Sequence, residues 1–116
     1  MSDIPYIFKG HARHDLSAIR KYTIKQWGKP QWEKYDAILF RRIQALANNP
    51  QLGVAIDDIS ENAYRFPDGN HVFYYLKRAK DVVFVGILSS SMAPNKHLIR
   101  KNDIESELKF WFYYSP

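Results

Sequence analysis

Within this 116-residue chain, the candidates for acid–base or phosphate chemistry are basic and aromatic residues between positions 65 and 78. Cleavage of RNA without a metal needs a general base, a general acid and cations close to the scissile phosphate. His71 or Tyr74 could carry the proton, and Arg65 could supply a cation. Further rings and cations in the same stretch are Tyr75, Lys77 and Arg78. The same residues also fit ordinary cross-strand packing in a sheet, so both interpretations stay open.

Other arrangements that could carry catalysis or bind a metal are weaker. His11 and His14 lie three positions apart, but the sequence places no third ligand nearby, so we expect solvated basic residues at a helix start. Ser89 begins a run of three serines without a Gly-x-Ser-x-Gly context. Asp57 and Asp58 stand together in a linking segment, and no glycine-rich phosphate loop occurs. The sequence therefore predicts no metal, no cofactor and no catalytic residue of these kinds.

The composition predicts a small basic globular protein. Lysine and arginine total 17 against 12 acidic residues, which gives a net charge of +5 and a pI near 9.5. This balance favours an acidic partner, either nucleic acid or an acidic polypeptide, although a merely soluble basic surface also fits. Aromatic residues make up 16% of the chain, more than one small core easily encloses. Some rings should therefore lie at the surface, where they anchor partners.

Length and patterning bound the organisation and the location of the chain. The length predicts a single domain over residues 1–116 with room for a core. The sequence has no cysteine, which excludes disulfides and thiolate sites. It has no apolar run near the roughly 18 residues of a membrane span, and the N-terminus lacks the features of a secretory signal. We expect a cytoplasmic protein without a membrane partner.

The first half has the periodicity of one strand followed by two helices. Ile4–Phe8 is apolar and aromatic, as strands are. Ala12–Trp27 places apolar residues at helical spacing, and Gly28 suits the end of a helix. A second helix is predicted to begin at Pro30 and to stop at Asn48–Pro50. Because the connection is short, the two helices should fold back on each other as a hairpin.

The second half changes to the period of strands. The predicted strands are Ala63–Phe66, His71–Leu76 and Val82–Leu88, joined into an antiparallel meander by turns at 67–70 and 77–81. Residues 51–62 and 92–101 are predicted to be irregular. Asn102 is expected to cap a short helix. The apolar face of that helix comprises Ile104, Leu108 and Trp111.

These elements predict an α+β fold of order β-α-α-β-β-β-α, with the helical hairpin packed on a small antiparallel sheet. The hairpin can cover only one face of so small a sheet. We therefore expect the other face to be available to a ligand or partner.

Short motifs in unbroken order over residues 4–98 resemble the ParE toxins of the RelE/ParE superfamily. The most specific are Trp27-Gly28, Leu46-Ala47-x-Asn49-Pro50-x-x-Gly53 and Gly69-x-His71-Val72-x-x-Tyr75. The resemblance implies a helical hairpin against an antiparallel sheet, in agreement with the predicted order. It also implies the toxin of a type II toxin–antitoxin system, which inhibits DNA gyrase by direct binding and is neutralised by a largely acidic antitoxin. Nucleic acid would then be reached only indirectly, through the antitoxin or gyrase.

The last strand departs from the superfamily pattern, which reads close to Ile-x-Arg-Ile-Leu-His-x-x-Met-Asp. Here Gly86 replaces the arginine, Ser89 the histidine and Ala93 the aspartate. Loss of a cation and an imidazole argues against phosphodiester cleavage at this strand. Two alternatives stay open: a ribosome-dependent mRNA interferase of the RelE type, and a residual toxin that only binds its antitoxin.

The resemblance, read with the residue types, predicts two surfaces. The predicted toxic surface comprises Arg65, Tyr74, Ser89 and Met92. Part of the antitoxin-binding groove is predicted at Leu16, Ile19 and Trp27, which would serve equally as hairpin core. From about residue 99 the chain is longer than the family pattern. This extension would either close over the sheet, leaving Phe112 and Tyr113 outward, or add a contact for the antitoxin or for self-association.

Overall fold

A computed structural model describes residues 2–89, 92 and 94–113, and it confirms the α+β fold class. The elements in chain order are β1 (Tyr6–Phe8), α1 (Ala12–Trp27), α2 (Lys29–Asn48), a 3-10 turn (Pro50–Leu52), β2 (Val54–Ala55), β3 (Ala63–Asp68), β4 (His71–Lys77), β5 (Val82–Ser89) and α3 (Pro94–Tyr113). Within the described residues, no helix is both long enough and apolar enough to cross a membrane.

The five strands form one sheet in the order β1-β5-β4-β3-β2. The predicted antiparallel meander of β3, β4 and β5 is confirmed. The sheet is nevertheless mixed, because β1 pairs parallel to β5, with Tyr6 opposite Val82 and Phe8 opposite Phe84. Pro5, which has no N–H, precedes this edge strand, and its carbonyl accepts a hydrogen bond from Val82 N at 3.1 Å.

The predicted helical hairpin is confirmed, with α2 beginning one residue earlier than expected. Gly28 has φ +88°, a conformation that suits glycine, and its N–H donates to Ile24 O at 2.9 Å. The buried residues of the hairpin recur at helical spacing. They are Ala12, Asp15, Ile19 and Thr23 on α1, and Leu39, Ile43, Leu46 and Ala47 on α2. The apolar residues among them pack with Phe73, Tyr75 and Phe84 in the core on one face of the sheet.

The expectation of an open second sheet face is wrong, because α3 covers that face. The helix begins at Pro94, eight residues before Asn102, so the prediction of irregular structure over 92–101 is also wrong. Ile104 and Leu108 are completely buried there. Their partners from the sheet are Ala63, Tyr74, Leu76, Val83, Val85 and Leu88. The extension thus packs on its own sheet, and Phe112 keeps about a third of its surface exposed.

Two further local differences concern the strands. Residues 51–62, predicted to be irregular, contain the two-residue strand β2, which is too short to show a periodic pattern of apolar residues. β3 continues through Pro67 to Asp68, which leaves a two-residue turn with Gly69 at φ +60°. A register shift follows Tyr74, which lies opposite Gly86, whereas Tyr75 lies opposite Phe84. The extra residue on β5 is characteristic of a β-bulge.

Some residues discussed from the sequence lie outside the described residues. These are Ser90, Ser91, Ala93, the chain from Tyr114 onward, and the side chain of Tyr113.

Candidate toxic and partner-binding surfaces

Arg65 and Tyr74 face each other across β3 and β4 on the α3 side of the sheet. Arg65 is exposed, whereas Tyr74 is only 4% exposed beneath α3. Burial raises the pKa of Tyr74, the Arg65 charge partly opposes that shift, and Glu105 of α3 adds to it. The Tyr74 hydroxyl is therefore neutral at physiological pH and largely shielded from solvent.

His71, the other proposed proton carrier, belongs to the hairpin side of the sheet. Tyr35 of α2 approaches it, with the hydroxyl 2.9 Å from His71 Nδ1. Burial lowers the pKa of His71, and the nearby Asp68 charge partly opposes that shift. Because residues alternate along β4, His71 and Tyr74 lie on opposite faces. The structure does not bring these two candidates into one site.

A polar cluster that the sequence analysis missed extends the Tyr35–His71 contact. Arg42 Nε donates to Asp68 Oδ2 at 3.1 Å, and its guanidinium lies 5.4 Å from the centroid of the Phe66 ring. Tyr35 and Arg42 are seven residues apart, two turns of one helix, and so share a face. The spacing of Tyr35 and Arg42 is visible in the sequence. The sequence does not show, however, that the β3–β4 turn with Asp68 and His71 lies beside this face of α2.

The four residues of the predicted toxic surface do not form one patch. Met92 packs on the α3 side, the same side as Arg65 and Tyr74. Ser89 lies opposite His71 in the β4–β5 register, towards the hairpin side. The role of all four in toxicity stays a prediction, and Arg65 is the exposed charge among them.

A buried ion pair joins α1 to α3 at the strand that departs from the family pattern. Arg100 Nη2 lies 2.7 Å from each carboxylate oxygen of Asp15, and Asp15 Oδ2 also accepts the N–H of Ile87 at 2.9 Å. The Asp15 and Arg100 side chains are 8% and 17% exposed. A Cβ atom added at Gly86 would lie 3.6 Å from Asp15 Oδ2. A guanidinium therefore lies near residue 86, although α3 supplies it and the strand does not.

The structure also separates the residues of the predicted antitoxin groove. Ile19 is 8% exposed and Leu16 is partly buried, and both pack in the hairpin core. Trp27 is 71% exposed at the end of α1. Their part in antitoxin binding stays a prediction, and Trp27 is the member accessible to a partner.

His11 and His14 are both exposed near the start of α1. Among the residues that the structure describes, no three histidine, aspartate or glutamate side chains come together as a metal site.

The hairpin on one sheet face, α3 on the other and the meander between them define a small α+β domain with two cores. A family model for the ParE toxin of type II toxin-antitoxin systems (parDE) matches residues 6–94, and the chain belongs to that family. The chain is 29% identical to Toxin ParE1 of Caulobacter vibrioides over 94 residues, and this alignment covers 81% of the chain and 97% of the relative. Toxin ParE1 of Mycobacterium tuberculosis is 28% identical over 94 residues, covering 80% and 96%. The family match ends where α3 begins, so nearly all of α3 lies beyond it.

Proposed function

We propose that this chain is the toxin of a type II toxin–antitoxin system, that it inhibits DNA gyrase by direct binding, and that a cognate antitoxin holds it inactive. The observation that carries the proposal is the ParE family match over residues 6–94. Gyrase enters through the family resemblance, since ParE toxins poison gyrase whereas RelE relatives cut messenger RNA.

The placement of the candidate acid–base groups supports a binding inhibitor over a ribonuclease. A general acid and a general base must both reach the reacting atoms. His71 contacts Tyr35 on one sheet face, and Tyr74 is buried under α3 on the other. These positions favour inhibition by surface contact.

Arg65 is the candidate for direct contact with the target. It is exposed on β3, and the neighbouring edge strand β2 has only two residues, with Val54 opposite Arg65. An exposed guanidinium beside a short edge strand is accessible to a partner, and arginine is enriched among residues that dominate binding energy.

We expect Arg65→Ala to abolish growth arrest, because the proposed contact with the target is lost. Antitoxin binding should be retained, because Arg65 is exposed on β3 and lies outside the predicted antitoxin groove. The measurement is colony survival after induction, with antitoxin co-purification in parallel. Lys80→Ala, which removes an exposed cation from the β4–β5 turn, is the matched control and should stay toxic. Full toxicity of the Arg65 variant would refute its role.

The target is tested by inducing the chain without antitoxin and following labelled thymidine and labelled methionine incorporation together. Gyrase inhibition predicts that DNA synthesis fails first while protein synthesis persists. The same chain should then inhibit supercoiling by purified gyrase. Immediate arrest of translation would replace this proposal with the mRNA interferase. If neither rate changes although folded protein accumulates, the chain is a residual toxin that only binds its antitoxin.

A further inference from the structure

The net charge of the molecule resides on its helical hairpin. Residues 12–48 contain eight lysines and arginines against three acidic residues, a balance of +5 that equals the charge of the whole chain. The other residues contain nine of each sign. Ion pairs with the rest of the chain engage one hairpin charge of each sign, Asp15 with Arg100 and Arg42 with Asp68, so they leave this balance unchanged.

Arg42 contacts the sheet through Asp68, whereas the other hairpin cations are exposed. On α1 the stripe of His14, Ser17, Lys21 and Lys25 is displaced by two residues from the buried stripe, about 200° around the helix, and all four are exposed. We define the hairpin outer face by its exposed cations: Arg13, Arg20, Lys21 and Lys25 on α1, and Lys34 and Arg41 on α2.

The hairpin outer face is dominated by cations and offers little of the apolar centre that a protein partner requires. Protein interfaces combine a desolvated apolar core with a polar rim. The large apolar side chains exposed on the hairpin are Tyr22 and Trp27 of α1 and Ile38 of α2, at 56%, 71% and 52% exposure. Tyr22 and Trp27 are five residues apart, about 140° on the helix, so they do not share a face, and Ile38 shares its face of α2 with the cations Lys34 and Arg41. A partner bound through backbone phosphates needs no such centre.

We propose that the hairpin outer face binds the phosphate backbone of duplex DNA directly. The 16 residues of α1 span about 24 Å, along which duplex DNA presents about 14 phosphate charges. Such binding is independent of base sequence and strongly dependent on salt. This inference goes beyond gyrase inhibition and replaces the expectation that nucleic acid is reached only through another protein.

The test measures binding of the purified full chain to a fluorescent 30-base-pair duplex of arbitrary sequence, by anisotropy, between 50 and 200 mM KCl. The double variant Lys21→Gln/Lys25→Gln removes two charges from the hairpin outer face. The control Lys77→Gln/Lys80→Gln removes two exposed charges from the β4–β5 turn region. Circular dichroism and the urea midpoint establish that both variants fold.

We expect the Lys21/Lys25 variant to bind at least about tenfold more weakly at 100 mM KCl and to lose about two from the slope of log K against log salt. The control should keep the wild-type slope. Equal effects of the two double variants would overturn the proposal, as would wild-type binding that is absent or insensitive to salt. Tighter binding of poly-glutamate than of the duplex would reassign the face to an acidic polypeptide. Because gyrase is absent from the assay, its outcome is separate from that of the supercoiling experiment.

Discussion

At residue 86 the lack of a side chain lets α3 reach the sheet. A Cβ at this position would lie 2.5 Å from Cδ1 and Cγ1 of Ile104, a side chain with no solvent exposure. Glycine in place of the family's arginine at position 86 is therefore required for α3 to pack on the sheet.

We expect Gly86→Ala to destabilise the protein by about 1–3 kcal/mol, because the extra methyl overpacks a filled interior. The measurement is urea unfolding in a double-mutant cycle with Ile104→Ala. The cost of Gly86→Ala should largely vanish in the Ile104→Ala background, where the colliding atoms are absent. An unchanged cost there would place the strain elsewhere.

His71 makes stability depend on pH in a defined direction. Neutral His71 can accept the hydrogen bond of Tyr35, and burial lowers its pKa below the unfolded value near 6.5. Between the two pKa values the unfolded chain binds more protons, so stability is complete above about pH 6.5 and is lost as the pH falls through this window.

His71→Gln should retain an acceptor for Tyr35 and flatten this pH dependence. Urea midpoints between pH 5.0 and 7.5 measure the effect, with exposed His14→Gln as the control that keeps the wild-type profile. An unchanged slope in the His71 variant would contradict the assignment of this pH dependence to His71.

At the scale of elements, the Asp15–Arg100 pair fastens α3 to α1 and, through the Ile87 N–H, to β5. A buried carboxylate that loses its cation is costly, whereas an exposed pair contributes little. The chain offers an internal comparison in Arg42–Asp68, whose side chains are 41% and 37% exposed.

Arg100→Met should lower the free energy of unfolding by about 3 kcal/mol, since the Asp15 carboxylate then stays buried without its cation. Arg42→Met should cost less than about 1 kcal/mol. Chemical denaturation of the two variants beside the wild type measures both values. Equal losses would mean that burial of the Asp15 pair has no energetic weight.

The hairpin and the meander were predictable because their apolar residues repeat at helical or strand spacing over many positions. The start of α3 was not, since Leu98 and Ile99 are each 60% exposed and give residues 94–101 no apolar stripe. The Asp15–Arg100 pair joins residues 85 positions apart, a separation at which periodicity carries no information. The parallel pairing of β1 likewise depends on which sheet edge remains free.

At the scale of the whole molecule, one sheet serves two cores. β4 directs Phe73 and Tyr75 to the hairpin side and Tyr74 and Leu76 to the α3 side. Because the same strands line both interiors, loss of either core exposes a face of the strands that hold the other.

We expect a single cooperative unfolding transition for the full chain. Trp111 packs on the α3 side of the sheet and Trp32 on the hairpin side. The variant Trp27→Phe/Trp32→Phe keeps only Trp111, and Trp27→Phe/Trp111→Phe keeps only Trp32, so the fluorescence of each variant reports one core. Their fluorescence should change at the same urea concentration. Earlier loss of the Trp111 signal would show that α3 detaches as an independent unit.

The parallel pairing of the first strand with the last has a consequence during synthesis. Phe8 acquires its partner Phe84 only after 76 further residues have been added, which takes about 4–15 s at ordinary translation rates. Asp15 waits longer still for Arg100. The native sheet is thus completed only once β5 has been synthesised, and a partner that recognises the folded domain cannot bind the growing chain before that interval has passed.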